Sequence, residues 1–263
     1  MDVKELKEQI KAHKSVLSKI ALVVIIIIAF YVMLQQPVNN NYIGGGGTFG
    51  WIDAAQTTVF ISIISIVVGF SIGIVVGLAR ISRNIIINGI ATVYVEILRG
   101  TPLLIQIFFI YYSLTPLMGL GGGLESATIS AILALSINSG AYQAEIIRGG
   151  IQSIPRGQLE AARSSGMTYL QAMRHVILPQ AFRLIIPPMT NEYVTVIKDS
   201  SLAYAIGVME ITWFSTRVVV WDFEPITTYL FVALIYFTLT TFTSNIMRFV
   251  EQRFRIPGYM VGE

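Results

Sequence analysis

Few side chains in this sequence have the types and spacing that covalent chemistry needs. Residues 69–73, Gly-Phe-Ser-Ile-Gly, match the G-x-S-x-G pattern of hydrolases. A serine nucleophile needs a neighbouring base, and the only two histidines, His13 and His175, lie in polar segments away from this apolar stretch. The same glycines, followed by Gly77, recur every four residues, which is typical of helices that pack closely. We therefore predict helix packing here and no catalytic residue.

Metal and nucleotide sites are also disfavoured. The chain contains no cysteine and only two separated histidines, so no cluster with metal-ligand spacing exists in the sequence. No G-x-x-x-x-G-K-[ST] stretch occurs, so the chain cannot hold ATP phosphates in the manner of a P-loop. The glycine tracts at 44–47 and 121–123 lack the strand-turn-helix context of a phosphate loop. We predict that this chain carries no metal and no cofactor.

An otherwise apolar segment near residues 184–211 contains five polar residues on one helical face. At about 100° per residue they fall within an arc of about 120°. Ionisable groups at membrane depth cost roughly 2.5–3.5 kcal/mol each on insertion scales, so they usually face a cavity or a partner. They either line a pathway or form structural salt bridges, for example Lys198 with Asp199. The five residues are Asn191, Glu192, Thr195, Lys198 and Asp199.

The elements that must position these residues are membrane helices. The 263 residues are 54% hydrophobic and 13% charged, with a mean hydropathy of +0.68. Soluble domains carry roughly 25% charged residues, so this composition excludes a soluble fold. At roughly 20 apolar residues per span, the chain has room for five or six transmembrane helices. No large domain outside the membrane fits.

Six spans are predicted from the apolar runs. The first follows a lysine-rich start and could instead be a secretory signal peptide, but no small-residue cleavage pattern follows it, so we expect an uncleaved span. The third apolar region is interrupted at residues 99–102, Arg-Gly-Thr-Pro, which predicts two helices that meet at a break. The predicted spans are about 20–34, 54–78, 103–114 and slightly beyond, 126–146, 184–211 and 226–247.

The distribution of positive charge predicts the orientation. Fifteen of the eighteen Lys and Arg residues lie in segments that alternating spans place on one side of the membrane. The loops on the opposite side contain one, Arg217. Because cytoplasmic loops carry the excess of Lys and Arg, both termini are predicted to be cytoplasmic. The loop at 147–183, with five arginines, is then the main cytoplasmic loop.

That loop carries the most specific motif. Pro155 precedes Arg-Gly-Gln-Leu-Glu-Ala-Ala at 156–162, Gly166 follows, and Leu178-Pro179 comes later. Proline near the first turn and glycine after the last predict a short helix, followed by a second helix that Pro179 interrupts. Small alanines would let a partner approach closely. An ordinary helix on the membrane surface is the alternative.

These residues resemble the EAA loop of ABC-importer permeases. Val176 stands where the pattern has isoleucine. The strings at 95–112, 138–158 and 191–202 are similar to those of polar amino-acid permeases of the histidine/glutamine type, and the resemblance spans about residues 54–255. The matching positions are Glu160, Ala161, Ala162, Gly166, Leu178 and Pro179.

The resemblance implies an all-α polytopic membrane protein with a five-helix type I permease core and an extra N-terminal span. Residues 1–50 would form the cytoplasmic start, the extra span and a glycine-rich external loop. Residues 51–255 would form the permease domain, and 256–263 a cytoplasmic tail. The short helix would dock on a cytoplasmic ATPase, which assigns a coupling role to Pro155, Glu160, Ala161, Ala162 and Gly166.

The resemblance also implies partners and a transport function in the inner membrane of a prokaryote. Two P-loop ATPase subunits would hold ATP and magnesium, an extracytoplasmic binding protein would deliver a polar amino acid, and a second permease subunit would complete the path. The polar arc would then meet a zwitterion. An ion-coupled secondary transporter is the alternative function, since broken helices and buried charges suit that class too. An intramembrane enzyme fails because the base is missing.

Overall fold

The computed structural model describes residues 50–120 and 122–254, without the side chain of Phe254, and all regular structure within them is helical. A π-helical turn lies inside α3 at Ile110–Leu114, and a second one, Met173–Ile177, joins α6 to α7. The helices are α1 Trp51–Arg80, α2 Ile85–Gly100, α3 Leu103–Leu117, α4 Leu124–Gln152, α5 Arg156–Ser164, α6 Tyr169–Ala172, α7 Leu178–Asp199, α8 Ile211–Asp222 and α9 Pro225–Phe254.

The pairing of α1 with α4 is the most extensive contact between described helices, and glycines make it possible. A Cβ atom on Gly73 would lie 2.7 Å from the Cβ of Gln143, and one on Gly77 would lie 3.0 Å from the carbonyl oxygen of Ala144. Only glycine permits such an approach of two backbones. The predicted packing role of the glycine pattern is confirmed. Ser71 is exposed and donates its hydroxyl to the Val67 carbonyl within its own helix.

The predicted break between α2 and α3 is confirmed, and the two helices are bent by 107°. Bending leaves backbone carbonyls without their helical partners, and buried carbonyls need donors. Gln106 supplies these donors: its Nε2 donates to the carbonyl of Leu98 at 2.8 Å and to that of Thr101 at 3.1 Å. Asn138 of α4 donates to Gln106 Oε1 at 3.0 Å and so ties the break to the next helix.

Two described helices, α1 and α9, are long and apolar enough to cross a membrane, and the bent pair of α2 and α3 makes a third if it is counted as one span. Helices α4 and α7 have 29 and 22 residues, which at about 1.5 Å each is enough to cross a hydrocarbon core of about 30 Å. The packed face of α4 is rich in polar residues, whereas Glu192 is the one polar residue on the buried face of α7. The predicted first span lies outside the described residues, and the count of six spans stays a prediction.

Two further predictions, one about the fifth span and one about Pro179, were wrong. The helix does not continue to Ile211, because α7 ends at Asp199, a 3₁₀ segment follows at Ser200–Ile206, and Gly207 then adopts φ +87°. Pro179 does not interrupt the chain. It lies in the first turn of α7, where a missing N–H is tolerated, directly after the π-helical turn at Met173–Ile177.

Residues 212–225 were predicted as a loop between the last two spans, but helix α8 occupies most of them, and its start is held by Glu210. This residue is fully buried, and its carboxylate accepts from the N–H groups of Thr212 at 2.9 Å and Trp213 at 2.7 Å. Tyr236 of α9 donates its hydroxyl to the same carboxylate at 2.9 Å. Glu210 therefore caps α8 and joins it to α9.

Candidate functional site: a coupling helix and a buried polar seam

The short helix predicted in the loop at 147–183 is α5, and its ends match the sequence prediction. Pro155 occupies the N-cap with an extended backbone, and Gly166 follows the helix with φ +85°. At this positive φ any residue with a Cβ is strained, so glycine ends the helix at low cost. The Gly166 N–H donates to the Arg163 carbonyl at 3.0 Å, and the Met167 N–H donates to Ala162 at 3.2 Å.

The predicted coupling residues do not all face outward. Glu160, Ala161, Pro155 and Gly166 are exposed, whereas Ala162 is buried within the chain itself. Ala162 is thus placed to pack α5 onto its own loop, and of the two alanines only Ala161 offers a small surface to a partner. The structure brings these five residues into one short segment that projects from the end of α4.

An apolar cluster connects α5 to two long helices. Ile147 and Ile151 of α4 pack with Ala181 and Ile185 of α7, and Leu159 of α5 packs against the same cluster. Protein interiors are densely packed and transmit displacement rather than absorb it. A movement of α5 would therefore be passed directly to α7, which carries the polar arc.

The polar arc of α7 does not act as one surface. Asn191, Thr195 and Lys198 are exposed, Asp199 is half-buried, and Glu192 is buried with 9% of its surface accessible. Helical periodicity puts all five residues on one side of α7, but α4 covers only the part of that side that contains Glu192. Lys198 and Asp199 do not form the ion pair that was the structural alternative, as far as the described residues show.

Glu192 lies in a narrow buried polar seam between α7 and α4. The Ser139 hydroxyl donates to its carboxylate at 2.7 Å, and Gln143 Nε2 donates to the Ser139 hydroxyl at 2.9 Å. Within the described chain, Gln143 Oε1 is buried without a hydrogen-bond partner. Ser139 and Gln143 were not predicted as site residues. Both residues lie in the polar string at 138–158. The sequence of α4 does not indicate that they contact Glu192 of α7, because that contact depends on how the two helices pack.

A second charged centre, which the sequence analysis did not assign, lies further along α4. Glu145 forms ion pairs with Arg80 of α1 and with Arg148, whose Nε lies 3.1 Å away. Arg99, the penultimate residue of α2, is a third cation, with its Nη1 3.9 Å from the same carboxylate and its guanidinium 5.1 Å from the Tyr142 ring centroid. An arginine at the edge of an apolar stretch was the signal that could have identified this centre.

No group of three or more histidine, aspartate or glutamate side chains in the described parts of the chain is placed to hold a metal ion. Ser71 has no histidine near it in sequence, and its hydroxyl is engaged with its own helix. The arrangement holds polar and charged side chains between α4 and its neighbours. It offers no group placed for covalent catalysis among the residues described.

Comparisons with known proteins find relatives among transport permeases. Over 205 residues the chain is 37% identical to the glutamine transport system permease protein of Escherichia coli, covering 78% of this chain and 93% of that protein. It is 37% identical to the nopaline transport system permease protein of Agrobacterium fabrum, covering 75% and 85%. The probable glutamine ABC transporter permease protein of Bacillus subtilis is 38% identical, covering 77% and 92%.

Solved structures show the same fold. A crystal structure of an amino acid ABC transporter with histidines matches with a TM-score of 0.70 at 35% identity, covering 77% of this chain and 93% of that one. An inward-facing structure of a methionine ABC transporter matches with a TM-score of 0.68 at 21% identity. A family model described as the binding-protein-dependent transport system inner membrane component matches residues 69–256. The chain therefore belongs to the family of inner membrane components of binding-protein-dependent transport systems.

Proposed function

We propose that this chain is the permease subunit of an ATP-driven importer of polar amino acids, and that it forms part of the path and transmits closure of a separate ATPase. The observation that carries the proposal is the exposed helix α5, which is followed by Gly166 at a positive φ and packs through Leu159 onto the cluster shared by α4 and α7. The relatives named as glutamine and nopaline permeases support amino acids as the substrate class.

The assembly contains more chains than this one. Two P-loop ATPase subunits dock on α5 and hold ATP and magnesium, since this sequence has no phosphate-binding loop of its own. A second permease subunit, identical or related, faces the exposed polar residues Asn191, Thr195 and Lys198. An extracytoplasmic binding protein delivers the amino acid on the side opposite α5. Both termini are cytoplasmic.

Glu192 is the residue of the path that faces the ammonium group of the amino acid. Its carboxylate has one described donor, Ser139, and so retains acceptor capacity for a cation. A dry path would otherwise penalise the ammonium heavily. Asp199 is half-buried about two turns further along α7 and extends the negative side of the path toward the 3₁₀ segment.

The coupling role of α5 is tested by Gly166→Leu. A leucine at φ +85° distorts the end of α5, so ATP-driven uptake is expected to collapse while membrane insertion stays normal. Gly119→Leu is the matched control, because Gly119 also has a positive φ of +73° and no neighbour within 4 Å, but it lies outside the coupling loop. Full uptake by Gly166→Leu, or equal loss in the two variants, would contradict the coupling role.

The function as a whole is tested in proteoliposomes. The chain is purified with the ATPase that co-isolates from its native host and supplied with the cognate binding protein and labelled amino acids. Uptake that requires ATP and magnesium is expected. Uptake driven by an ion gradient without ATP would favour the secondary transporter, an alternative that none of the named relatives supports. For the orientation, a tag at residue 2 should resist protease added outside intact cells.

A further inference from the structure

A groove, the α1 groove, lies on the outer surface of α1 near the start of that helix. Its volume is about 420 Å³, and the described residues that line it all belong to α1. The buried face of α1 packs against α4 on the other side of the helix, so the groove points away from the bundle. A single helix presents a convex surface, and a concave site on it needs a second element alongside. The lining residues are Ile52, Ala55, Gln56, Val59 and Phe60.

The α1 groove belongs to an exposed face that follows the whole of α1. Exposed side chains recur every three or four residues on this face, a spacing that keeps them on one side of a helix. From Ile52 to Leu78 the face is about 39 Å long at about 1.5 Å per residue, which is enough for a membrane-spanning helix to pack along it. The exposed residues include Ile52, Gln56, Val59, Ile63, Val67 and Ser71.

Gln56 is a polar residue in this otherwise apolar groove. Its side chain is exposed, and it lies about 7.5 Å along α1 from Trp51 at about 1.5 Å per residue. Lipid tails cannot hydrogen-bond an amide, so a glutamine that faces them costs free energy. Membrane helices use such side chains to hydrogen-bond a neighbouring helix. Gln56 therefore favours a second helix, rather than lipid, as the occupant of the α1 groove.

The chain that precedes α1 contains a segment that suits this face. Residues 1–49 lie outside the described part of the chain, and the sequence predicts an apolar span at 20–34. The link at 35–49 leads directly into the start of α1 and can reach about 50 Å when fully extended. Because the predicted span ends on the side of the membrane where α1 begins, the two helices run antiparallel to each other.

Matching the ends of the two helices brings two polar side chains to a similar depth. Residues 35–36 are glutamines and end the apolar run, so Leu34 is aligned with Ile52 at the outer edge. From this level Tyr31 lies about 4.5 Å and Gln56 about 6 Å into the membrane, at about 1.5 Å per residue. Side chains of this length can bridge the difference, and the phenol hydroxyl can donate to the amide oxygen.

We propose that the α1 groove is the docking surface for the predicted N-terminal span, residues 20–34, which packs antiparallel to α1 with Tyr31 against Gln56. The small side chain of Ala55 lets the two backbones approach closely. A second permease subunit is proposed at the exposed polar residues of α7, which leaves the exposed face of α1 to a segment of the same chain. The span shields Gln56 from lipid and adds a helix to the outside of the α1–α4 pair.

Disulfide cross-linking tests the docking in membranes from cells that make the full chain with its partner subunits. The chain contains no cysteine, so every disulfide within it reports the introduced pair. Val59→Cys is combined in turn with a cysteine at each of the four isoleucines 25–28, which together cover a full helical turn. A disulfide needs Cβ atoms about 3.5–4.5 Å apart. Ile27 lies at the depth of Val59 and one turn from Tyr31, so Ile27→Cys should give the highest yield. Ile28→Cys should give less, and the first two positions little or none.

Further pairs test the rotation of the two helices. Thr57→Cys replaces Val59→Cys in the pair of highest yield, because Thr57 is half-buried and points about 160° away from Val59 around α1. This pair should give little or no disulfide. Tyr31→Cys with Gln56→Cys should form the disulfide readily. Phe30→Cys with Gln56→Cys is its matched control and should give little, since the neighbouring position points about 100° away.

Several results would overturn the proposal, provided that each variant co-purifies with its partner subunits as the wild type does. Equal yields at the four isoleucine positions would show that the span has no fixed contact, and no disulfide at any of them would show that lipid covers the groove. A covalent dimer formed by Val59→Cys alone would place a second copy of the chain on this face. A disulfide with Phe30→Cys but not with Tyr31→Cys would overturn the contact with Gln56. These yields do not depend on ATP-driven uptake, so failure of the proposed function is a separate result.

Discussion

Two buried glutamates in this protein have opposite surroundings. Glu210 is fully buried, and its two carboxylate oxygens accept from two backbone N–H groups and from the Tyr236 hydroxyl. Glu192 is buried almost as deeply but has one described donor, the hydroxyl of Ser139. Burial without donors is costly for a carboxylate, so Glu210 is stabilised by its place in the fold and Glu192 only in part.

The difference separates a structural carboxylate from one that is available to a ligand. The donors of Glu210 belong to the first turn of α8 and to α9, so its role is to hold two elements together. Among the described residues, Glu192 has no donor besides Ser139 and forms no ion pair. The same substitution at the two positions should therefore have different consequences.

Glu210→Gln is expected to have the largest effect on stability. Each carboxylate oxygen accepts from one backbone N–H, at 2.7 and 2.9 Å, so the amide NH₂ group of glutamine must face a donor in either orientation. The cost of a buried unsatisfied donor is about 1–3 kcal/mol. Thermal unfolding of the purified complex should show a lower midpoint. A midpoint equal to that of the wild type would show that the hydrogen bonds of Glu210 contribute little to stability.

Glu192→Gln is expected to leave the unfolding midpoint unchanged and to reduce transport. Ser139 can donate to the glutamine amide oxygen as it does to the carboxylate, so packing survives. Loss of the charge removes the partner of the substrate ammonium, and a loss of about 1.4 kcal/mol corresponds to tenfold in binding. Uptake should fall or change its selectivity while basal ATP hydrolysis persists. Uptake at the wild-type rate and selectivity would show that Glu192 has no electrostatic role in the path.

Ser139→Ala removes the one described donor of Glu192 and so tests how much that hydrogen bond contributes. The substitution leaves Glu192 without that hydrogen bond and Gln143 Nε2 without its acceptor, at a cost of about 1–2 kcal/mol. Both the unfolding midpoint and uptake should fall. Ser136→Ala is the control, because Ser136 lies on the same helix with a buried hydroxyl that has no described partner. Equal effects of the two substitutions would argue against a special role for Ser139.

Tyr236→Phe should have the smallest effect. It removes one of three donors to Glu210 and leaves the two backbone N–H groups that cap α8. The expected loss is about 0.5–1.5 kcal/mol, typical of one hydrogen bond, with uptake otherwise as in the wild type. A loss as large as that of Glu210→Gln would mean that the link to α9, rather than the helix cap, holds α8 in place.

Much of the local structure could be predicted from the sequence because it depends on neighbouring residues. Residues 99–102 predict a break wherever they occur, since glycine and proline act on their own backbone. Gly166 likewise predicts a helix end, and the four-residue glycine spacing predicts a close helix contact. The prediction for Pro179 was wrong because the energetic cost of a proline depends on the helical turn before it. The sequence did not indicate the π-helical turn at Met173–Ile177.

Sequence patterns alone predict the all-helical membrane class, the broken third region, the short helix in the loop at 147–183 and the side of α7 on which its polar residues lie. Which of those residues are buried, and what they contact, depends on tertiary packing. Helical periodicity relates residues within one helix, but it cannot specify the neighbouring helix. Ser139 and Glu192 are 53 positions apart, and Arg99 of α2 lies over the ring of Tyr142 in α4. The packing of α2, α4 and α7 therefore sets which charges meet, and with them the candidate site.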